Sequence, residues 1–327
     1  MQPTSVSIPS LQTWLPGLHL LRTYDKQNLS SDVIAGLSVA AVAIPIGIAY
    51  AGLAGAPPVV GIYSCLLPPI MYALFGSSRQ LIVNPDAAAC TIVAATTVPL
   101  AAGDPLRYTD LSILLTIFTG VICIVAGIAR LGFIANFLSR PILIGYLNGI
   151  AVSIIVGQLG RLMGVQVPSA GVFRTVWNLF KQVGQLHAST LTLGLAILIG
   201  LLLMKRFAPH IPGPVIAAAA AIAIVYFLGL NKAGVQVIGT IPAGLPRLRF
   251  PSVAFTDLGP LTLGAATIML VSFCSMMTTA RGFATKNGYQ IDANRDLMAL
   301  GACDLASGLS GGFVVSGADS RTAVADS

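Results

Sequence analysis

Long apolar runs recur along this chain, separated by short polar connections or by connections rich in glycine and proline. A helix of about 20 apolar residues is long enough to cross the hydrocarbon core of a bilayer. The pattern therefore predicts membrane spans at about 32–51, 58–75, 110–130, 139–160, 189–204, 212–230, 261–281 and 297–309. Residues 173–181 have apolar side chains at helical spacing on one side only, which is typical of a helix lying on the membrane surface.

Two further apolar segments are interrupted by polar residues. In the first, at 81–91, an apolar run meets Asn84, Pro85 and Asp86, and a helix is predicted from there to about residue 101. We interpret Asn84 as the N-cap, Pro85 as the first helical residue and Asp86 as a first-turn acid. A helix that begins inside a membrane offers its unpaired N–H groups and the positive end of its dipole to an anion.

The second interrupted segment, at 313–323, has the same design, with Ser316 as the cap. Asn84 and Ser316 are 232 residues apart, and the same shift overlays the first span on the eighth. Because seven spans separate the starts of the two copies, the second copy is expected to be inverted in the membrane. Inverted repeats that meet at broken helices near the midplane are typical of secondary transporters.

The repeat predicts four parts along the chain. They are a cytoplasmic N-terminal segment (1–31), a first repeat of about seven membrane segments (32–230), an extended connector (231–260), and the start of a second repeat with segments eight to ten (261–327). With the N-terminus inside, ten basic residues lie on the cytoplasmic side and seven lie outside, in agreement with the positive-inside rule. The expected fold is an all-α polytopic membrane protein with an incomplete second repeat.

Composition supports a membrane protein and excludes other classes. The hydrophobic fraction is 55%, the charged fraction is 9% and the mean hydropathy is +0.86, too apolar for a soluble domain. The net charge of +7 comes from scattered single Lys and Arg residues, so no nucleic-acid partner is predicted. The five cysteines and three histidines have no metal-binding spacing, and no catalytic constellation is visible, so we predict no metal, no cofactor and no enzymatic activity.

Several motifs in this order resemble the sulfate permease (SulP) family of anion transporters. They are SDVIAGLSVAAVAIP (31–45), AYAGLAG (49–55), GIYS (61–64), FGSSRQ (75–80), IGTIPAGLP (238–246), ARGFA (280–284) and SGADSRTA (316–323). The resemblance covers about residues 30 to 327. It implies fourteen segments in two inverted repeats of seven, a core domain and a gate domain, and usually a following STAS domain. By that standard the chain is truncated, without the last four segments and the STAS domain.

The resemblance also implies where an anion would bind. Segments three and ten would be the half-helices, and the anion would lie between their N-termini, near segments one and eight. The corresponding substrate-binding residues are Ile46, Tyr50, Pro85, Asp86, Ala87, Ser275, Ser316, Gly317, Ser320 and Arg321.

Three positions of this predicted site need comment. The family commonly has a Gln where Ile46 stands, and many members have an acid where Ser275 stands, so proton coupling through that position is in doubt. A carboxylate at Asp86 would repel an anion. Asp86 either caps its own helix, or it takes up a proton or helps to hold a cation, and Asp319 is the second candidate for ion coupling.

Arg321 lies within the second half-helix. Insertion scales put the cost of an arginine at the centre of a membrane at about 2.5–3.5 kcal/mol, so Arg321 needs a partner. We favour the interpretation that Arg321 provides a positive electrostatic field that attracts the substrate anion. The alternative is a structural ion pair with one of three acids, Asp319, Asp304 or Asp326.

The resulting hypothesis is secondary active transport of a small inorganic anion, sulfate first, by a multi-pass protein of the cell (inner) membrane. One alternative is bicarbonate or chloride transport by sodium symport or by exchange. An alternative of another class is a truncated membrane module that does not transport. The expected partners are the anion and the lipid bilayer, while an H+ or Na+ co-ion and a homodimer stay open.

Overall fold

The computed structural model describes residues 17, 24–134, 140–165, 172–208, 213–237, 244–246, 248, 250–252 and 257–326. Most of the N-terminal segment 1–31 and part of the connector 231–260 lie outside the described residues. The helices are α1 (Leu29–Ala54), α2 (Pro58–Tyr63), α3 (Leu67–Phe75), α4 (Ala87–Ala101), α5 (Pro105–Ile128), α6 (Arg140–Met163), α7 (Val172–Lys181), α8 (Ala188–Phe207), α9 (Gly213–Phe227), α10 (Leu258–Lys286), α11 (Ala293–Leu309) and α12 (Asp319–Ala325). The strands are β1 (Val83–Pro85) and β2 (Val315–Gly317).

Five helical stretches of the described residues are long and apolar enough to cross a membrane. They are Lys26–Ala54, Pro58–Phe75, Pro105–Ile128, Ala188–Phe207 and Leu258–Lys286. Shorter apolar helices occupy Ala87–Ala101 and Ile216–Phe227. These stretches coincide with spans that the apolar pattern predicts, and the chain is a multi-pass membrane protein.

The chain divides into two compact units, residues 1–139 with 243–327, and residues 140–242. In the first unit, α5 and α11 pack side by side through glycines. A Cβ atom on Gly301 would lie 2.6 Å from the carbonyl oxygen of Gly120, and a Cβ atom on Gly120 would lie 2.8 Å from that of Gly301. Small residues of this kind let membrane helices approach closely, since dispersion contacts rather than water exclusion hold such helices together.

The strand pair shows how the two copies of the repeat are related. β1 and β2 are antiparallel, with Asn84 opposite Ser316 at the middle of the pair. The two residues matched by the 232-residue shift therefore face each other, and both half-helices begin at matched positions, Ala87 and Asp319. The paired strands run in opposite directions, as expected for two copies inverted relative to each other.

Both predicted helix caps are wrong by two residues. Asn84 and Ser316 lie within the strands and cap no helix. The cap of α4 is Asp86, with an extended backbone (φ −122°, ψ 142°), and Pro85 belongs to β1 instead of the first turn. The cap position of α12 is Ala318, which makes no side-chain capping bond. Strand pairing keeps each backbone extended for two residues longer than the local pattern predicts.

The second unit contains α6 to α9, with α6 packed on α7 and α8, and α8 packed on α9. The His187 ring joins the start of α8 to the turn after α9. Its Nε2 lies 2.8 Å from the carbonyl oxygen of Ala233, and its Nδ1 lies 2.7 Å from Oγ1 of Thr190. Helix α7 leaves Phe173 and Trp177 exposed on one face, which confirms the amphipathic helix predicted there.

Candidate functional site

The strand pair lies inside the first unit, and every residue of both strands is buried. Two hydrogen bonds continue the pairing into the half-helix of the second copy. Ala318 N–H donates to the carbonyl of Ile82 at 2.9 Å, and Ile82 N–H donates to Oγ1 of Thr322 at 3.1 Å. The start of α12 is thereby held against the chain that leads into α4, and both half-helix N-termini follow directly from one buried strand pair.

Side chains of α11 and of the segment after α2 form hydrogen bonds with the backbone at and just before the start of β2. Asp304 is fully buried, and its Oδ1 accepts a hydrogen bond from the Val315 N–H at 2.9 Å. Ser64 Oγ accepts from the Phe313 N–H at 2.9 Å, while Ser307 Oγ donates to the Phe313 carbonyl at 2.6 Å. Buried backbone groups without a helical partner need such bonds, since water is absent from the membrane interior.

Arg321 links the two copies of the repeat. Its side chain is 3% exposed, its Nη2 donates to the carbonyl of Pro85 at 2.5 Å, and its Cζ lies 5.8 Å from the centre of the Tyr50 ring. Among the described residues, its Nε has no hydrogen-bond partner. The guanidinium therefore reaches from α12 to the residue before the cap of α4, and it keeps one buried donor open.

The three carboxylates considered as structural partners of Arg321 are bonded elsewhere. Asp304 bonds the Val315 N–H, Asp319 accepts a hydrogen bond from the Thr279 hydroxyl, and Asp326 pairs with Lys286 at 2.6 Å. None of the carboxylates in the described ranges forms an ion pair with Arg321. The alternative of a structural ion pair is therefore wrong.

Asp86 caps α4, as one of the two interpretations of this residue predicts. Its Oδ2 accepts hydrogen bonds from the N–H groups of Ala88 at 3.0 Å and Ala89 at 3.3 Å. Its carboxylate is also attracted electrostatically by Arg321 and repelled by Asp319. Asp86 thus interacts with the charges of Arg321 and Asp319 and also caps its own helix.

The remaining predicted site residues occupy different surroundings. Ile46 lies one turn before Tyr50 on α1, and both are half-buried. Ser316 donates its hydroxyl to the Ser272 carbonyl at 3.0 Å, so this group is used in packing against α10. A Cβ atom on Gly317 would lie 2.9 Å from the Cα atom of Met276, and this close approach to α10 explains the glycine.

Ser275 is half-buried on α10, and its carbonyl oxygen lies 3.3 Å from the Thr279 hydroxyl, which is shared with Asp319. Ala87, the first residue of α4, is half-buried, and Ser320, in the first turn of α12, is exposed. Asp319 is also exposed. An open pocket of about 280 Å³ is lined by Thr278, Thr279, Gly282, Phe283, Lys286 and Asp319.

The structure thus brings Tyr50, Pro85, Asp86 and Arg321 together at the start of α4. Two residues that support this cluster, Asp304 and Thr322, were not among the predicted substrate-binding residues. An ionisable side chain inside an apolar segment is a signal that could have singled out Asp304. For Thr322 no local signal exists, since its role depends on the backbone of Ile82 far away in the sequence.

Comparisons with known proteins agree with this picture. A family model described as the sulfate permease family matches residues 29–327. A probable sulfate transporter of Mycobacterium tuberculosis is 43% identical over 321 residues, which are 98% of this chain and 57% of that protein. The chain spans about half the length of the curated relatives it matches.

Two solved membrane proteins have the same fold. The murine Solute Carrier 26 family member A9 anion transporter in the inward-facing state is 24% identical, with a TM-score of 0.91 over 100% of this chain and 58% of that chain. The transmembrane domain of a cyanobacterium bicarbonate transporter is 24% identical, with a TM-score of 0.83 over 92% of this chain and 78% of that chain. The predicted all-α inverted-repeat fold, with two half-helices meeting at the midplane, is confirmed.

Proposed function

This chain belongs to the sulfate permease family, and we propose that it forms the anion-binding part of a secondary active carrier for a small inorganic anion. Sulfate is the first candidate substrate because curated relatives of this chain are named sulfate transporters. The carrier would work by alternating access around a midplane site, as inverted-repeat transporters do. All residues of the candidate site belong to the first compact unit.

The observation that carries this proposal is the environment of Arg321. An intramembrane arginine costs about 2.5–3.5 kcal/mol on insertion scales, and Arg321 is 97% buried without a carboxylate partner among the described residues. Its Nε–H is buried and unpartnered, next to the N-terminus of α4. A bound oxyanion would supply the missing acceptor and would place a negative charge in direct contact with the guanidinium.

Bicarbonate or chloride is the second candidate, by sodium symport or by exchange. A solved protein of the same fold is named a bicarbonate transporter, and the N–H donors and the guanidinium of this site suit bicarbonate as well as sulfate. For a co-ion, Asp86 and Asp319 are the proposed residues. Asp319 accepts a hydrogen bond from Thr279 beside an open pocket that Lys286 also lines.

We place the protein in the cell (inner) membrane with a cytoplasmic N-terminus, which the excess of basic residues on that side supports. The alternative of a membrane module without transport activity is tested by the same experiment as the substrate.

The experiment is counterflow in liposomes that contain the purified full-length protein. Labelled sulfate, bicarbonate and chloride are each offered against the unlabelled anion, with and without a sodium or proton gradient. We expect labelled sulfate to accumulate transiently and Arg321→Ala to abolish the accumulation. If liposomes with the protein took up no more of any of the three anions than empty liposomes do, anion transport would be rejected. If bicarbonate alone accumulated, bicarbonate would replace sulfate as the proposed substrate.

A further inference from the structure

The carboxylate of Asp86 occupies donors that an anion would use. One oxygen, Oδ2, accepts hydrogen bonds from the N–H groups of both Ala88 and Ala89, at 3.0 and 3.3 Å. These N–H groups belong to the first turn of α4, where a helix has no internal partners for them. The same groups make a helix N-terminus attractive to anions. In this structure the N-terminus of α4 therefore already binds a negative oxygen, tethered to its own chain.

A second, independent observation indicates that a ligand belongs beside this carboxylate. Arg321 is 3% exposed, and its Nε has no partner among the described residues. Its Nη2 is fixed to the carbonyl of Pro85, the residue directly before Asp86. An anion that accepts a hydrogen bond from Nε would thus lie next to the α4 N-terminus and compete with Asp86 for its N–H groups.

We propose that Asp86 is a tethered competitor of the transported anion, and that proton uptake by Asp86 releases the N-terminus of α4 to the substrate. This inference rests on the anion-carrier function proposed above. The proton adds to the carboxylate, which changes an anionic acceptor into a neutral carboxylic acid, and no other bond is broken. The charge-assisted hydrogen bonds to Ala88 and Ala89 weaken, and the substrate anion takes over these donors together with Nε of Arg321. One proton would then enter the site with each anion.

The capping role and the coupling role of Asp86 are thus the same contact seen in two protonation states. The titratable or charged groups that interact electrostatically with Asp86 are Tyr50 on α1, Cys90 on α4, and Asp319 and Arg321 on α12. Asp319 is the other acid of this set, and it serves as a comparison in the test below.

The test measures the dissociation constant of sulfate for the purified full-length protein at acidic and at neutral pH. Sulfate is a suitable probe because its own charge does not change in this range. Asp86→Asn keeps a residue that caps helices well but removes the charge, and Asp86→Ser is a second variant of the same kind. Asp104→Asn is the matched control, since Asp104 caps α5 through Leu106 and Arg107 at an exposed position.

In the wild type we expect the dissociation constant of sulfate to fall about tenfold or more on acidification. This is the effect of removing one competing charge-assisted contact, that of the Asp86 carboxylate with the N–H groups of α4. In Asp86→Asn and Asp86→Ser, binding should stay at the acidic wild-type value at both pH values. Asp104→Asn should behave as the wild type does.

Two different failures are distinguishable. If the wild type binds sulfate but Asp86→Asn or Asp86→Ser retains the wild-type pH dependence, the inference is wrong while anion binding stands. A pH dependence that disappears only in Asp319→Asn would assign the coupling to that residue and reject Asp86. If no variant binds sulfate, bicarbonate or chloride at any pH, the proposed function fails, and the inference fails with it.

Discussion

Replacing Arg321 with alanine tests the proposed anion site most directly. The substitution removes a buried guanidinium whose Nε is open and whose Nη2 donates to the Pro85 carbonyl at 2.5 Å. A hydrogen bond to a charged group contributes about 1.5–3 kcal/mol. Since 1.4 kcal/mol corresponds to a factor of ten, loss of one such bond to the anion should weaken its binding roughly 10- to 150-fold. Loss of the positive charge acts in the same direction.

The fold should tolerate this substitution. The Pro85 carbonyl loses a donor, which costs about 1–3 kcal/mol, but the protein no longer buries an arginine, which costs about 2.5–3.5 kcal/mol in a membrane. The two effects are of similar size and opposite sign. We therefore expect the variant to insert, and to unfold in detergent near the wild-type temperature when no anion is present.

The assay is the thermal stabilisation of the detergent-solubilised protein by increasing sulfate, from which the dissociation constant follows. The matched control is Arg206→Ala, which removes an exposed arginine of α8 and so changes the net charge equally. Arg321→Lys retains the charge without the planar fork and should lose less affinity than the alanine variant. Wild-type sulfate affinity in Arg321→Ala would refute the assignment of this residue to the anion.

Two further predictions concern the scaffold. Gly301→Ala should lower the unfolding temperature, because its Cβ would lie 2.6 Å from the Gly120 carbonyl oxygen and overpacking costs about 1–3 kcal/mol. Gly282→Ala on α10 is the control: with open space around Gly282, it should stabilise the protein by about 0.5–1 kcal/mol. Equal shifts of the unfolding temperature for the two variants would contradict this packing. Asp304→Ala should destabilise the first unit by about 1–3 kcal/mol, since the Val315 N–H loses its acceptor, and Asp304→Asn, which retains an oxygen there, should recover most of it. Identical unfolding temperatures for both Asp304 variants would show that this hydrogen bond is unimportant.

Much of the fold could be predicted from the sequence because its signals are local. An apolar run long enough to cross a bilayer can be recognised from its residue types alone, and so can the polar interruption at Asn84, Pro85 and Asp86. The 232-residue shift is also a property of the letters alone, and it correctly matched the starts of α4 and α12. The shift of the caps by two residues could not be predicted, because it depends on which strand pairs with β1.

The sequence anticipated that some of the predicted site residues lie near one another, but not which contacts they make. The resemblance placed Tyr50 and Arg321 in one site, and the structure brings them within 5.8 Å. The same local reasoning could not decide whether Arg321 meets a carboxylate or the Pro85 carbonyl. It also could not show that the Ser316 hydroxyl donates a hydrogen bond to the backbone of α10.

The sequence by itself determined the membrane spans, the inverted repeat and the two interrupted segments, since each follows from residue types and spacing within the chain. Only the tertiary structure decided that β1 pairs with β2, that Asp86 occupies the donors of α4, and that Arg321 keeps Nε open. The bond from Arg321 to Pro85 joins residues 236 positions apart, and contacts of that range depend on how the helices pack. Packing is set by the sum of many weak contacts between segments, which no local pattern of residues contains.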